Sequence, residues 1–290
     1  MRYLFVVTFA LYFAVLTPAQ ANIFFKVSHP DHQPTSYLFG TMHMVCGVEI
    51  ATPEPVLKAF ESSQQLVVEV NLAEPEQQRA LQQNVLQQPA DYLEQLLNDS
   101  EYLRLKSLVE DELNLPFQQI SALRPVFLSA LFLQNYLECA TAPLRLDEFF
   151  TIQANQAQKT IVGLESVAEQ ISLFDAIPLD LQVSSLFELA TEPAQSKQSL
   201  QQLEHAYLTG NGDEVYQLIQ DQDDFGDYQH GLLDHRNEQW LEKLPKLLAT
   251  QSTFIAVGAG HLGGSNGLVA LLESAGYTVT PIQVSFVSQD

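Results

Sequence analysis

Short apolar runs bounded by polar residues or glycine punctuate this chain and predict strands. They are Tyr37 to Gly40, Leu66 to Val70 (Leu-Val-Val-Glu-Val), Thr160 to Leu164 (Thr-Ile-Val-Gly-Leu), Thr253 to Val257 and Tyr277 to Ile282. Between them, apolar residues recur at helical spacing. Glu54 to Gln65 carries Val56, Leu57 and Phe60 behind Pro55, a residue suited to a first helical turn. The middle of the chain reads as helical throughout. It contains a polar, Gln-rich stretch from Pro75 to Gln88 and Glu101 to Leu113 with Leu103, Leu105, Leu108 and Val109. Pro125 to Cys139 is strongly apolar and is expected to cross the core; Leu146 to Gln158 follows it. Helices continue from Val167 to about Ile219, broken at Pro178, Pro193 and Gly210-Asn211-Gly212. A last long helix is predicted from Tyr228 to Leu248, and a short one from Asn266 to Ser274.

The strands fall into two units of the same order, strand, Gly-x-x-His, helix, strand, at about residues 36–72 and 252–284. The expected fold is α/β of mixed α+β character. The two units would form a central sheet region, with a large helical insert between them.

The first stretch has a different pattern. Arg2 precedes an apolar run from Tyr3 to Leu16, and Thr-Pro-Ala-Gln-Ala follows. A positive start, an apolar run and an A-x-A site describe a secretory signal peptide, residues 1–21, cleaved after Ala21. The run is shorter than the ~20 residues that a membrane span needs. The expected mature chain is therefore residues 22–290, one domain in the periplasm, with no later segment apolar enough to span a membrane.

Composition narrows the partners. The formal charge is −22, from 13 Lys and Arg against 35 Asp and Glu. Nucleic-acid binding needs clustered cations against phosphate, so that class is excluded. The two cysteines, Cys46 and Cys139, can pair in an oxidising compartment or remain buried thiols. There is no Cys-x-x-Cys, Gly-x-Ser-x-Gly, His-Glu-x-x-His or Walker loop.

Candidate chemistry gathers at strand ends. Gly40-Thr-Met-His43 and Gly258-Ala-Gly-His261 each place an imidazole just past a strand, the edge where ligands bind in α/β sheets. Glycine there is expected to let the backbone turn sharply. Glu69 and Glu165 stand at the ends of two further apolar strands. A carboxylate in such a place is costly unless paired, hydrogen-bonded or metal-bound. Imidazole and carboxylate are common ligands for zinc, manganese, cobalt or iron. Alternatively, Glu69 caps a helix or binds an arginine, and Glu165 partners the helix from Val167. Arg236 and Asn237 in the last long helix are within possible reach of the site. They would hold a carboxylate or polarise a carbonyl, or else face acidic neighbours on the surface. His29 and His32 in the opening Pro-containing segment, and His205 and His230, read as surface residues.

These pieces resemble the TraB/GumN family, which includes the TIKI-type metalloproteases. The resemblance rests on Tyr37-Leu-Phe-Gly-Thr-Met-His43, Leu66-Val-Val-Glu-Val70, Leu123-Arg-Pro125, Val162-Gly-Leu-Glu165 with Glu169-Gln170, Arg236-Asn237-x-x-Trp240 and Phe254-Ile-Ala-Val-Gly-Ala-Gly-His261 with Gly276-Tyr277. It implies that the two Gly-x-x-His loops meet. It also implies a divalent metal (Mn, Co or Zn) held by His43, His261 and Glu69, with Glu69 doubling as general base. Glu165, Arg124, Arg236 and Asn237 match recurrent polar positions, and Glu165 would share the proton-shuttling role. Many members carry a His shortly after the position of Asp147; Phe149 stands there here. The implied activity is an exported metal-dependent hydrolase acting on a peptide or protein. The alternative is a non-catalytic periplasmic protein that binds haem, metal or peptide in the same cleft.

Overall fold

The structure is a computed structural model that describes residues 22–46, 52–137, 139, 142–222 and 225–286. The stretch read as a signal peptide lies outside the described residues. Strands β1 (Phe24–His29), β2 (His32–Thr41), β3 (Gln65–Val70), β4 (Thr160–Glu165), β5 (Thr253–Gly258) and β6 (Thr278–Pro281) form one sheet in the order β4-β3-β5-β2-β1-β6. The pairs β4–β3, β3–β5 and β5–β2 are parallel; β1 runs antiparallel to both β2 and β6. Every residue of β3 and β5 except the last is buried, as expected of parallel strands covered on both faces. The fold class is thus mixed α/β, and the two Gly-x-x-His units lie in one sheet. They interleave: β5 of the second unit sits between β2 and β3 of the first.

The helices are α1 (Glu54–Ser62), α2 (Pro75–Asn84), α3 (Tyr92–Leu96), α4 (Asp99–Glu112), α5 (Phe117–Ile120), α6 (Pro125–Tyr136), α7 (Leu146–Gln156), α8 (Val167–Ala176), α9 (Leu179–Thr191), α10 (Pro193–Leu208), α11 (Gly212–Gln220), α12 (Gln229–Leu232), α13 (Asp234–Leu248) and α14 (Leu268–Ser274). Helix α7 packs on β3, β4 and β5, while α13 packs on β4 and β2. Phe39, Phe60, Phe150 and Phe254 meet ring against ring in this core.

Four sequence expectations are corrected. The apolar helix α6 does not cross the sheet core. Its Leu128, Phe132 and Tyr136 fill a second core with Tyr92, Leu105, Phe117 and Leu186, built from the middle helices alone. A helix with so many apolar residues satisfies either location, because burial has no address in the sequence. Leu103 points outward, 62% exposed, although Leu105, Leu108 and Val109 are buried as the spacing requires. The opening segment is a hairpin: Phe24 pairs with Phe39 and His29 with His32. Pro34 falls where the register shifts between Val27 and His29, a position that tolerates a missing N–H. His29 is therefore half-buried, its ring packed at a tilt against Tyr277. Finally, the last long helix is interrupted at Leu233 (φ −124°, ψ −64°), which separates α12 from α13.

Cys46 and Cys139 form a disulfide, beside the bridge between Val45 and Leu144. Among the described residues, no helix is long and apolar enough to cross a membrane.

Candidate functional site

The register of β2 and β5 builds the site. Gly40 pairs with Val257 and Thr41 with Gly258, so the two Gly-x-x-His segments leave the sheet side by side. Neither Gly40 nor Gly258 has a positive φ. The expectation that glycine serves a sharp turn is corrected: glycine serves close approach. A Cβ on Gly40 would lie 2.8 Å from Leu262 Cδ1 and 3.0 Å from Ala259 Cα. One on Gly258 would lie 3.2 Å from Glu69 Oε1. The Gly258 segment is not an open loop either, since Ala259–His261 forms one 3₁₀ turn.

His261 is buried. Its Nδ1 lies 2.7 Å from Asn237 Oδ1, and its Nε2 lies 3.0 Å from Arg236 NH1. Arginine cannot accept, so Nε2 accepts and Nδ1 carries the proton to Asn237. Burial pushes the imidazole pKa down to about 3, although the charge of Glu69 opposes this. The ring is neutral. Asn237 is fully buried and spends both amide hydrogens on the carbonyls of His261 and Asn266. It orients His261, and no part of it is left for a substrate carbonyl.

Arg236 is the hub. Its Nε donates to Glu165 Oε2 at 3.1 Å. NH1 donates to Leu232 O and to His261 Nε2, both at 3.0 Å. NH2 donates to Glu69 Oε2 and, at 2.6 Å, to Glu165 Oε1. All five N–H donors of the guanidinium are thereby used. Glu165 also accepts from Gln170 Nε2 (3.1 Å) and Trp240 Nε1 (3.2 Å), which brings its two oxygens to four bonds. Glu69 accepts the Gly258 N–H at 2.8 Å and retains unused lone pairs. Burial by itself would raise the Glu69 pKa, but Arg236, both histidines and the Gly258 N–H together hold it well below the usual carboxylate range. One buried guanidinium thus balances two buried carboxylates, and neutral N–H donors carry the remainder. Of the four residues expected to act in catalysis, Glu69 alone is left with capacity to do so in this arrangement. Glu165 and Asn237 are saturated, and Arg236 has no donor left for an oxyanion. The physical reason is burial, which leaves their polar atoms no water to bond.

His43 differs. Its side chain is 73% exposed, and its Nδ1 lies 2.8 Å from Asp147 Oδ2. The hydrogen bond and charge of Asp147 push its pKa up to about 9. Asp147 also accepts from Thr41 Oγ1 at 2.6 Å. Helix α7 thus does reach the site, through Asp147 at its first turn, while Phe149 packs against the sheet core. Sequence reasoning missed Asp147 as a partner of His43, and the Asp at the start of an amphipathic helix was the available signal. It also missed Tyr207, whose buried hydroxyl donates to Gly40 O at 3.2 Å; burial pushes that phenol well above its ordinary pKa. No sequence pattern marked it. Arg124 lies apart from the hub, bonding Asn84 O, Gln87 and Asp175. It fixes the start of α6 against α2 and α8.

His43, Glu69, Arg236 and His261 line one side of a cavity of about 450 Å³, whose other walls are mostly apolar and come from α6, α8, α10 and α11. That size lies within the usual ~300–1,000 Å³ of ligand pockets. The donor set suits a divalent cation in kind. Both imidazoles have Nδ1 tied to an outer oxygen, the arrangement that orients metal-binding histidines, and Glu69 is a carboxylate beside them. The donors are not drawn together, however. Among the described residues no three His, Cys, Asp or Glu side chains converge on one point, and Arg236 binds both His261 Nε2 and Glu69. A cation at this place requires Arg236 to give ground.

A family model described as the TraB/PrgY/gumN family matches residues 23–281. A protein of Danio rerio named Metalloprotease TIKI1 is 25% identical over 303 residues, covering 85% of this chain. The chain spans about three fifths of that relative, 60% of its length. No solved structure matches.

Proposed function

This chain belongs to the TraB/PrgY/gumN family, and from that premise we propose that it is an exported, metal-dependent hydrolase that cleaves peptides. The observation that carries the reading is the pairing of β2 with β5, which sets two outward-tied imidazoles and Glu69 on one side of an apolar cavity. His43, His261 and Glu69 would hold the ion, of the manganese, cobalt or zinc class. When bound, such an ion polarises a carbonyl and lowers the pKa of water. The remaining functions belong to the chain. Glu69 has the free lone pairs to accept a proton from water and pass it to the leaving amine. Asn237 and Asp147 keep each imidazole in register. Arg236 and Glu165 hold the frame through the hydrogen bonds they share. The name of the similar Danio rerio protein supports a protein substrate.

The test is metal analysis and titration of the purified protein with Mn²⁺, Co²⁺ and Zn²⁺, alongside His43→Ala and His261→Ala, with a peptide library assayed under each ion. Binding that both substitutions abolish, together with cleavage, is the expected result. No bound ion under any condition would overturn it.

A second reading, a periplasmic protein that binds haem, metal or peptide without turnover, is favoured by the closure of Arg236 on Glu69, Glu165 and His261 through four of its five donors. A site whose two carboxylates are already engaged by its own guanidinium can hold a ligand in the adjoining cavity without catalysis. Binding without cleavage, lost in His43→Ala, is its signature.

A further inference from the structure

The cavity beside the polar cluster is built on a different principle from the cluster itself. Phe127 from α6, Ile171 and Phe174 from α8, Leu203 from α10, Ile219 from α11 and Leu233 at the helix break supply its walls. The apolar wall begins at the 3₁₀ turn Ala259–His261. A Cβ on Gly260 would lie 2.6 Å from Ile219 Cδ1 and 3.5 Å from Leu233 Cδ1. On the other side, Met42 lines the cavity next to His43. Apolar surface and reactive groups therefore share one space.

The charges around it select by sign. Arg236 is the fixed cation of the lining, and its donors are all engaged. His43 is paired with Asp147. Glu69 stands at the cavity and Glu165 behind it, and the chain as a whole carries −22. A carboxylate reaching the apolar walls would leave water without gaining a cation from them, since no Lys and no Arg besides Arg236 lines the cavity. An aliphatic or aromatic group would leave water for a wall it matches.

We propose that this cavity is the specificity pocket of the site: it takes a bulky apolar side chain, Leu or Phe in class, of a neutral or basic peptide, and sets the adjacent peptide bond against Glu69, His43 and His261. It selects against acidic side chains at that position. This rests on the peptidase reading, and it adds what that reading leaves open, the kind of residue recognised.

The experiment has two arms, so that the two readings fail separately. In the first, peptides of one sequence carrying Phe, Leu, Gly or Asp at a single position are assayed with Mn²⁺, Co²⁺ and Zn²⁺. Phe and Leu are expected to exceed Gly and Asp in kcat/KM by about tenfold or more. In the second, N-acetyl-phenylalanine amide, N-acetyl-glycine amide and N-acetyl-aspartate amide are titrated into the protein without added metal and followed by methyl NMR. The phenylalanine amide is expected to shift the Ile219 and Leu233 methyls, and the other two are not. Leu203→Trp, which fills the cavity, is expected to abolish those shifts and to remove the preference for Phe. Phe127→Ala, which enlarges it, is expected to move the preference toward Trp, and it serves should the Trp variant fail to fold. Equal cleavage of all four peptides, or methyl shifts that ignore both substitutions, would overturn the pocket while leaving the peptidase standing. No cleavage of any peptide, with the phenylalanine amide still bound and displaced by Leu203→Trp, would overturn the peptidase and leave the pocket assigned to an apolar ligand.

Discussion

Thr41 and Gly258 face each other across the parallel pair β2–β5. His43 lies two residues beyond the first and His261 three beyond the second, so one backbone register decides that both imidazoles emerge at one edge of the sheet. Their surroundings then diverge. One ring is buried and neutral against Asn237, and the other is open to water against Asp147.

Removing Arg236 should be the most damaging single change in the site. Arg236→Ala leaves Glu69 and Glu165 buried without their cation. Breaking a buried pair in this way costs about 3–5 kcal/mol. Arg236→Lys retains a charge but has three donors in place of five, and an intermediate loss is expected. Urea unfolding followed by Trp240, the single tryptophan of the chain, reads both. Trp240 donates to Glu165 and its ring lies 4.3 Å from that of His261, so its emission reports on this cluster directly. A loss under about 1 kcal/mol for the Ala variant would contradict the buried-pair account.

Gly40→Ala tests the close-approach explanation of the first Gly-x-x-His. The new methyl would meet Leu262 and the backbone of Ala259 within 3.0 Å. A backbone atom in a turn fixed on β5 cannot retreat without breaking the register. The expected loss is about 1–3 kcal/mol, as for overpacking a filled interior. Gly258→Ala should cost less and instead shift Glu69, whose flexible carboxylate is the nearer neighbour. Equal, negligible changes in melting for both variants would remove the argument.

The pH profile of the metal-free protein follows from three shifts. His261 is held down to about 3, against about 6.5 when unfolded. Between those values the unfolded chain binds the extra proton, so stability is lost as pH falls from about 6.5 toward 3. Glu69 is also depressed, which adds to the loss below its unfolded value of about 4.3. His43 is raised to about 9. Its contribution is present below about 6.5 and fades as pH rises through 9; with the ring 73% exposed, that alkaline limb is shallow. Stability should therefore peak near neutrality, measured as urea midpoints from pH 3 to 10. His261→Gln should flatten the acid limb and His43→Asn the alkaline one; limbs unchanged in these variants would refute the assignments.

The disulfide ties the segment carrying His43 to the one leading into Asp147. Cys46 and Cys139 are 93 residues apart in sequence. Removing a bridge over so long a loop costs about 2–5 kcal/mol. Cys46→Ser with Cys139→Ser is expected to lower the unfolding free energy by that amount, read from urea unfolding curves. It should also speed amide exchange at residues 42–46 ahead of the sheet. Protection at those residues unchanged from wild type would mean that the bridge does not steady the His43 segment.

Much of this was legible in the chain. The runs Leu66 to Val70 and Thr253 to Val257 are buried strands because they are apolar on both faces, a pattern only a covered parallel sheet accommodates. His43, Glu69, Glu165 and His261 were identifiable because each follows or ends such a run, where a polar residue needs a reason. The hairpin of β1 was not legible: Phe24 to Val27 is a short run beside Pro30 and Pro34, and only its partner β2 makes it a strand. The address of α6 was not legible either, since Leu128 and Phe132 suit any interior.

What the sequence by itself determined is local: most of the strands and helices, β1 and the break at Leu233 excepted, where two Gly-x-x-His turns fall, and which residue types stand at strand ends. The tertiary structure decided who meets whom. It set β5 between β2 and β3, gave Arg236 to both glutamates, and tied His261 to Asn237 and His43 to Asp147. It also made the glycines of those turns a matter of clearance against Leu262, Ala259 and Glu69. The reason is that hydrogen-bond partners of buried polar groups come from residues far apart in the chain, as with Glu69 and Arg236, 167 residues apart. The cost of leaving such groups unpaired is settled only once the elements are packed.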